Sequence, residues 1–323
     1  MGDLHKDIPF IWTEKGLFKT ERIMEINRIG GLNNNKIYNA PLSITLELTS
    51  LCNFRCLHCY NNSGDYKHKK EELSENDWKK LIKEIKMMQI FECVLSGGEP
   101  FMAPSRLFYA LDELRDTAIS VSINTNGTFL DEKNIVKLKE YELTHIQISL
   151  DGAKKMTHEE IRNTECWETI IDNIVLLNKE GIPVQIAFTI NKINQSEIAS
   201  MVKTAYMLGC VKIVFGFYEN SGRANENEDV LLLTSAEKRR IYNELKHLYY
   251  DYKELLPIQI LSEKRLLIDL MSGRANNNLV VSANGDIKYN CFIDEIIGNI
   301  KEETLQTIWN QSGKYVWRNR SDR

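Results

Sequence analysis

Cys52, Cys56 and Cys59 are spaced Cys-x3-Cys-x2-Cys inside the run Leu-Thr-Ser-Leu-Cys-Asn-Phe-Arg-Cys-Leu-His-Cys-Tyr at positions 48–60. Thiolates are soft ligands, suited to zinc, copper(I) and iron–sulfur centres. A structural zinc ion wants four protein ligands, usually arriving as two separated pairs, and an ordinary cubane takes four cysteines. Three thiolates on one short loop leave one iron of a cubane without a protein ligand, free to bind something else. The plainer alternative is three buried or zinc-bound cysteines that happen to lie close together; cysteine is scarce and the spacing specific, which weighs against it. His58, between two of the cysteines, reads as a loop residue rather than a ligand.

Other residues suit the binding of a small charged molecule. Gly97-Gly98-Glu99-Pro100 sets two glycines side by side, where main chain can approach a ligand more closely than a side chain would permit. Alone, such a tetrapeptide is a tight turn with a glutamate. Arg162 offers the planar fork that suits a carboxylate; a surface charge is its plain alternative. Asn124-Thr125-Asn126-Gly127 and Ser149-Leu150-Asp151-Gly152 put short polar side chains at strand ends, where capping is the simple role for Asn126 and Asp151.

The cysteine spacing, followed by the aromatic Tyr60, resembles the signature of the radical S-adenosylmethionine (radical SAM) superfamily, and the likeness covers roughly residues 40–310. It implies one 4Fe–4S cluster on Cys52, Cys56 and Cys59 whose open iron chelates the methionine moiety of S-adenosylmethionine. The reduced cluster would release a 5′-deoxyadenosyl radical that takes a hydrogen atom from substrate. The resemblance further implies that the backbone of Gly97, Gly98 and Glu99 receives the methionine amino group. Asn124 and Asn126 would lie near the ribose and methionine part. Ser149 and Arg162 would hold ribose and carboxylate, with Asp151 beside them, and Tyr60 would lie by the adenine. Glu219, Ser221 and Arg223 fall where the superfamily often meets the methionine part or the substrate.

The tail resembles the start of the SPASM or twitch extension of maturases of ribosomal peptides, through the Asn284-Gly285 hairpin, Cys291, Gly298-Asn299-Ile300 and Ile308-Trp309. In that family cysteines here bind auxiliary iron–sulfur clusters. The usual cysteine before the hairpin falls near Ser272, and none follows Cys291. One thiolate does not hold a cubane, so the expectation is a reduced domain without an auxiliary cluster. Cys93, Cys166, Cys210 and Cys291 are read first as small core residues. The sharper role is a thiol that gives a hydrogen atom to a substrate radical, as in peptide epimerases. Cys166 and Cys291, outside the barrel strands, are the candidates for it.

These residues need a scaffold, and the hydrophobic pattern supplies one. Strand-like runs at 42–48, 91–96, 119–124, 144–150, 184–190 and 211–217 alternate with segments of helical period. Strands separated by helices pair in parallel through βαβ units. The fold class is therefore α/β: a partial (β/α)6 TIM-like barrel with its site at the C-terminal strand ends, and a small C-terminal α+β SPASM/twitch-like extension. The expected division is an N-terminal arm at 1–41 with a hairpin, the barrel at 42–230, and a helical linker with the reduced domain at 231–323. The polar stretch Asn225 to Asp229 reads as a linker, and Thr234 with Glu237 starts a long helix.

The 323 residues carry 41 basic and 45 acidic side chains, a net charge of -4, which gives no electrostatic case for nucleic acid or an anionic membrane. No run approaches the ~20 apolar residues of a membrane span. Seven cysteines do not form a secreted disulfide pattern, so the cytoplasm is the expected compartment. The resemblance implies a precursor-peptide substrate, crosslinked or epimerised at an unactivated carbon, and an electron donor such as flavodoxin or ferredoxin. The alternatives are a small-molecule dehydrogenase, decarboxylase or dehydratase of antibiotic assembly, and a non-catalytic iron–sulfur or zinc module. The Gly97-Gly98 cradle argues against the last.

Overall fold

The structure, a computed structural model, describes residues 39–65, 70–261, 278–291 and 295–313, with the strand backbones Phe10–Thr13 and Gly16–Lys19. The glycine and asparagine link at 30–35, Lys67 and Lys69, and Ser272 lie outside the described residues. In the N-terminal arm, β1 (Phe10–Thr13) and β2 (Gly16–Lys19) pair antiparallel as a hairpin that forms a sheet of its own.

From residue 43 strand and helix alternate. The strands are β3 (Ser43–Glu47), β4 (Glu92–Ser96), β5 (Ser120–Thr125), β6 (Leu143–Ser149), β7 (Val184–Ile190), β8 (Lys212–Phe217) and β9 (Ile258–Leu261). Between them lie α1 (Glu75–Met88), α2 (Pro104–Leu114), α3 (Glu132–Leu138), α4 (Lys155–Arg162), α5 (Trp167–Lys179), α6 (Ile198–Met207), α7 (Glu228–Leu231) and α8 (Ser235–Tyr252). Local chemistry accounts for the helix starts. The Ser74 hydroxyl accepts the Asp77 amide at 3.2 Å, and Trp78, Leu81, Ile82 and Ile85 then bury one face of α1. Thr234 and Glu237 close a reciprocal capping box on α8.

The main sheet has ten strands in the order β12-β11-β10-β3-β4-β5-β6-β7-β8-β9. Strands β3 to β9 are parallel, as an open partial barrel requires. The barrel is longer than the sequence pattern suggested. Ile258–Leu261 adds a parallel strand beside β8. The tail hairpin, β10 (Asn278–Val281) and β11 (Asp286–Lys288), with β12 (Ile296–Asn299), joins the opposite edge, because β10 runs parallel to β3 from Asn278 opposite Ser43 to Val281 opposite Leu46. The turn also differs from a two-residue one. Ser282 N–H donates to the Asp286 carbonyl, Gly285 N–H donates to the Ser282 carbonyl, and Gly285 has φ 92°, which makes a three-residue loop ending in a left-handed glycine. Helix α9 (Leu305–Gln311) follows. The stretch read as a linker is a 3-10 turn, Gly222–Asn227, running into α7.

One side of the sheet is dry: Ile44, Leu46, Cys93, Leu95, Ile123 and Ile148 share one core with Leu81, Ile85, Leu107 and Ile170 of the helices. Alternate positions on the other side are polar. Glu47 pairs with Ser96, and Asn124 pairs with Gln147, which pairs in turn with Gln185. The polar side and the C-terminal strand ends are where such a fold places its ligands.

Candidate cofactor centre

The cysteine loop leaves β3 and runs from residue 48 to 65 without helix or strand. Its backbone polar groups therefore need partners elsewhere, and three elements supply them. Toward β4, Gly98 N–H donates to Thr49 O (2.7 Å) and Glu99 N–H to Leu51 O (2.8 Å). Toward α4, Leu57 N–H donates to Ile161 O (2.9 Å). After β8, Ser221 Oγ donates to Tyr60 O (3.0 Å), Arg223 to Cys56 O (3.2 Å) and Ser63 O (2.9 Å), and Asn227 Nδ2 to Leu57 O (3.1 Å). Ser221 and Arg223 thus tie the loop from the far side of the sheet.

The glycine pair has a physical cause other than ligand approach. A Cβ on Gly98 would stand 1.9 Å from Leu51 O, and one on Gly97, at φ 131°, would stand 2.8 Å from Thr49 O. Two main chains meet here, the strand end and the cysteine loop. Glu99 is fully buried; its Oε1 accepts from Phe101 N–H (3.2 Å) and Thr125 Oγ1 (2.8 Å), and its Oε2 from Asn126 N–H (2.9 Å). It joins the ends of β4 and β5. Burial pushes its carboxyl up to about 7, against three hydrogen bonds that favour the charged form. Asn126 is engaged at both ends: Nδ2 donates to Asn53 Oδ1 in the cysteine loop (2.8 Å), and Oδ1 accepts the Thr128 amide (3.0 Å). Asn124 and Ser149 stand on the polar side of the sheet, in β5 and at the end of β6.

Arg162 is buried, not a surface charge. Its Nη2 pairs with Asp151 Oδ2 at 2.5 Å, and its Nη1 donates to Cys56 Sγ at 3.6 Å. His58 Nε2 lies 3.3 Å from the same Asp151 oxygen, so this loop histidine is part of a buried network. Burial lowers His58 to about 4. The Asp151 carboxyl is held down by Arg162, which outweighs burial with the help of His58 and the Thr189 amide. Cys166 closes the network, its Sγ 3.5 Å from His158 Nε2, and burial pushes its thiol up to about 12.

Cys291 occupies a different environment. With Glu47, Tyr60, Ser221 and Lys288 it lines a cavity of about 610 Å³ between the cysteine loop and the C-terminal hairpin. Glu47 Oε1 accepts from Tyr60 OH (3.3 Å) and Asn61 Nδ2 (3.2 Å). Burial raises the Glu47 carboxyl and the Tyr60 phenol, and pushes the Cys291 thiol up to about 12. Two residues of this centre escaped sequence reasoning. Glu47 carried a faint signal, a carboxylate ending an apolar strand. Arg106 carried none: its Nη1 donates to Leu48 O (2.7 Å) and Glu72 Oε2 (3.0 Å), its Nη2 to Leu73 O (2.7 Å) and its Nε to Glu75 (3.1 Å), all distant in sequence.

The three sulfurs fit an iron–sulfur cluster. Each already has an N–H donor that favours the thiolate: Phe54 amide to Cys52 (3.4 Å), Ser63 amide to Cys59 (3.3 Å) and Arg162 to Cys56. Burial keeps Cys52 protonated to about 11 and raises Cys56, so an arriving cation displaces protons. Among the described residues no three His, Cys, Asp or Glu side chains converge as for a single metal ion; a cubane instead takes each thiolate at a separate iron.

The radical SAM superfamily model matches residues 46–205, and the SPASM model, an iron–sulfur cluster-binding domain, matches residues 273–323. The AdoMet-dependent heme synthase of Methanosarcina barkeri is 31% identical over 223 residues, which are 69% of this chain and 61% of that protein. The antilisterial bacteriocin subtilosin biosynthesis protein AlbA of Bacillus subtilis is 28% identical over 276 residues, 84% of this chain and 60% of that protein. The chain thus spans about three fifths of the length of these relatives. In fold it is similar to Streptococcus suis SuiB, whose crystal structure with the precursor peptide SuiA aligns with a TM-score of 0.70 at 16% identity over 92% of this chain and 71% of that one. The cofactors of the family are one 4Fe–4S cluster and S-adenosylmethionine. The chain belongs to the radical SAM superfamily and carries an SPASM-type extension after its barrel.

Proposed function

We propose that this chain reductively cleaves S-adenosylmethionine at a cluster on Cys52, Cys56 and Cys59, and acts on an unactivated carbon of a ribosomally made precursor peptide. The observation that carries the reading is the cavity of about 610 Å³ between the cysteine loop and the C-terminal hairpin. It brings cofactor-side residues (Tyr60, Asn61) and extension residues (Lys288, Cys291) into one chamber. Its size lies in the ~300–1,000 Å³ range of ligand sites, enough for one or two side chains of a longer peptide. AlbA, named for bacteriocin biosynthesis, and SuiB, solved with a precursor peptide, support the same substrate class.

When bound, the cluster and S-adenosylmethionine supply a 5′-deoxyadenosyl radical that removes a hydrogen atom from substrate. The chain's own residues hold and shape. The anchors from β4, α4 and the segment after β8 fix the cysteine loop. Glu47, buried and joined to Tyr60, gives the chamber a polar floor. The Cys291 thiol is protonated at neutral pH. A one-electron carrier such as flavodoxin or ferredoxin is the partner that delivers the reducing equivalent. The product is a carbon–carbon or carbon–sulfur crosslink or an inverted stereocentre. The heme synthase relative favours a second reading, a small-molecule substrate.

The test is anaerobic reconstitution with reductant and S-adenosylmethionine. The wild type should hold about four irons, as one cubane does, and form 5′-deoxyadenosine; the Cys52→Ala/Cys56→Ala/Cys59→Ala variant should do neither. A candidate precursor peptide should raise turnover and change mass. Bound zinc without cleavage would refute the enzyme, and turnover on a small molecule alone would refute the peptide.

A further inference from the structure

Among the described residues, two buried nitrogens in one place, Arg162 Nε and His58 Nδ1, lack a hydrogen-bond partner, and Asp151 Oδ2 between them is met by Arg162 Nη2 and His58 Nε2. They belong to the network beneath Cys56. Taking an ion pair out of water costs several kcal/mol, and apolar side chains of equal volume serve stability as well or better. Stability therefore gives no reason for the network, and its geometry points at a sulfur. Of the three N–H donors aimed at the sulfurs of Cys52, Cys56 and Cys59, the amides of Phe54 and Ser63 are neutral, whereas Arg162 carries a full charge.

We propose that Arg162, oriented by Asp151, is a charged hydrogen-bond donor to the Cys56 thiolate and sets the reduction potential of the cluster held there. The proposal rests on the reading that Cys52, Cys56 and Cys59 hold the cluster. A cluster gains one negative charge on reduction, so a cation at a ligating sulfur stabilises the reduced form and raises the potential. The low dielectric of a buried site strengthens the effect. Arginine suits the task because it stays charged, and its rigid fork serves a sulfur with one nitrogen and a carboxylate with the other. Asp151 is itself fixed: Oδ1 accepts the Thr189 amide of β7 (2.7 Å), its carbonyl accepts Asn194 Nδ2 (3.0 Å), and its amide donates to His158 Nδ1 (3.1 Å). Both terminal nitrogens of Arg162 are thus directed at protein atoms, a role separable from holding the carboxylate of S-adenosylmethionine.

Asp151 opposes the arginine's charge, so the two residues should act with opposite sign. The experiment is a redox titration of the anaerobically reconstituted protein without S-adenosylmethionine, read by electron paramagnetic resonance. Arg162→Gln should shift the midpoint negative, with the reduced-to-oxidised ratio at the wild-type midpoint falling about tenfold, which is about 59 mV for one electron. Asp151→Asn should shift it positive, and Arg162→Lys, which keeps the charge but not the fork, should shift it negative by less than Arg162→Gln. A wild-type midpoint in Arg162→Gln, or shifts of one sign in both Arg162→Gln and Asp151→Asn, would overturn the proposal. If Arg162→Gln takes up no iron, Asp151→Asn decides alone: an unchanged or more negative midpoint refutes it. A wild type without a cubane signal would refute the underlying assignment, and the proposal with it.

Discussion

Arg106 holds Leu48 at the point where β3 gives way to the cysteine loop, with Nη1 2.7 Å from the Leu48 carbonyl oxygen. The same guanidinium reaches Leu73 O, Glu72 and Glu75, and Glu72 in turn accepts from Thr49 and Ser50. One side chain from α2 thus fixes the start of the loop. Arg106→Met would leave Leu48 O and Leu73 O without these donors and Glu72 without its cation. We expect a loss of ~1.5–3 kcal/mol in urea unfolding, the size of a hydrogen bond to a charged group at a half-buried site, with lower iron uptake. Wild-type iron content at wild-type stability would show that the loop is held without it.

Gly98→Ala tests the meeting of the two main chains. Its Cβ would lie 1.9 Å from Leu51 O, a backbone atom that no rotamer change relieves. The expected result is a loss of more than ~3 kcal/mol together with loss of cluster binding. A soluble variant that binds iron normally would count against the packing account of this glycine.

Acid should weaken the fold through His158. Its Nδ1 accepts the Asp151 amide, so the ring proton sits on Nε2, toward Cys166. Protonating Nδ1 would set two donors against each other, and burial, with Arg162 nearby, lowers the ring to about 3. A histidine depressed from ~6.5 in the unfolded chain contributes stability that is present above pH 6.5 and lost as pH falls toward 3. Between pH 7 and pH 5 the loss is on the order of 2 kcal/mol. In His158→Asn that slope should flatten by this amount, leaving the same-signed part from His58, whose ring is lowered to about 4. Identical slopes in the two proteins would remove His158 as the cause.

The two candidate donor thiols should behave differently. Cys291 lines the cavity, whereas Cys166 lies against His158 in the buried network. Cys291→Ala should still form 5′-deoxyadenosine but change the substrate product, and should lose any deuterium taken from heavy water. Cys166→Ala should keep the product. Mass spectra of products made in heavy water decide; an altered product from Cys166→Ala alone would reverse the assignment.

Much of the barrel was legible because its signals are local. β7 falls where its apolar run predicts, and Ser74 and Thr234 cap the helices their neighbours announce. The cysteine spacing, too, is a property of one short segment. What escaped depends on distant partners. Ile258–Leu261 is too short for periodicity to separate strand from helix and becomes a strand on the edge of β8. The pairing of β10 with β3 is parallel and long-range, so no turn announces it. Arg162 stood out through the family resemblance, but its partners Asp151 and Cys56 come from other elements and were not readable beside it. The glycine pair was visible as a motif, but its cause lies in Leu51 and Thr49, which sequence alone does not set beside it.

The seat of β3 between β4 and β10 has a consequence for the order of assembly. One neighbour of the cysteine-bearing strand comes from the next βα unit; the other is translated more than two hundred residues later. Until that segment docks, one row of β3 main-chain donors and acceptors is unpaired, as on any sheet edge. Closing so long a span is slow compared with local pairing. During synthesis the cysteine loop is therefore formed while the wall carrying Lys288 is still missing. A chain still being made thus presents one open flank of this loop that the folded protein covers with β10.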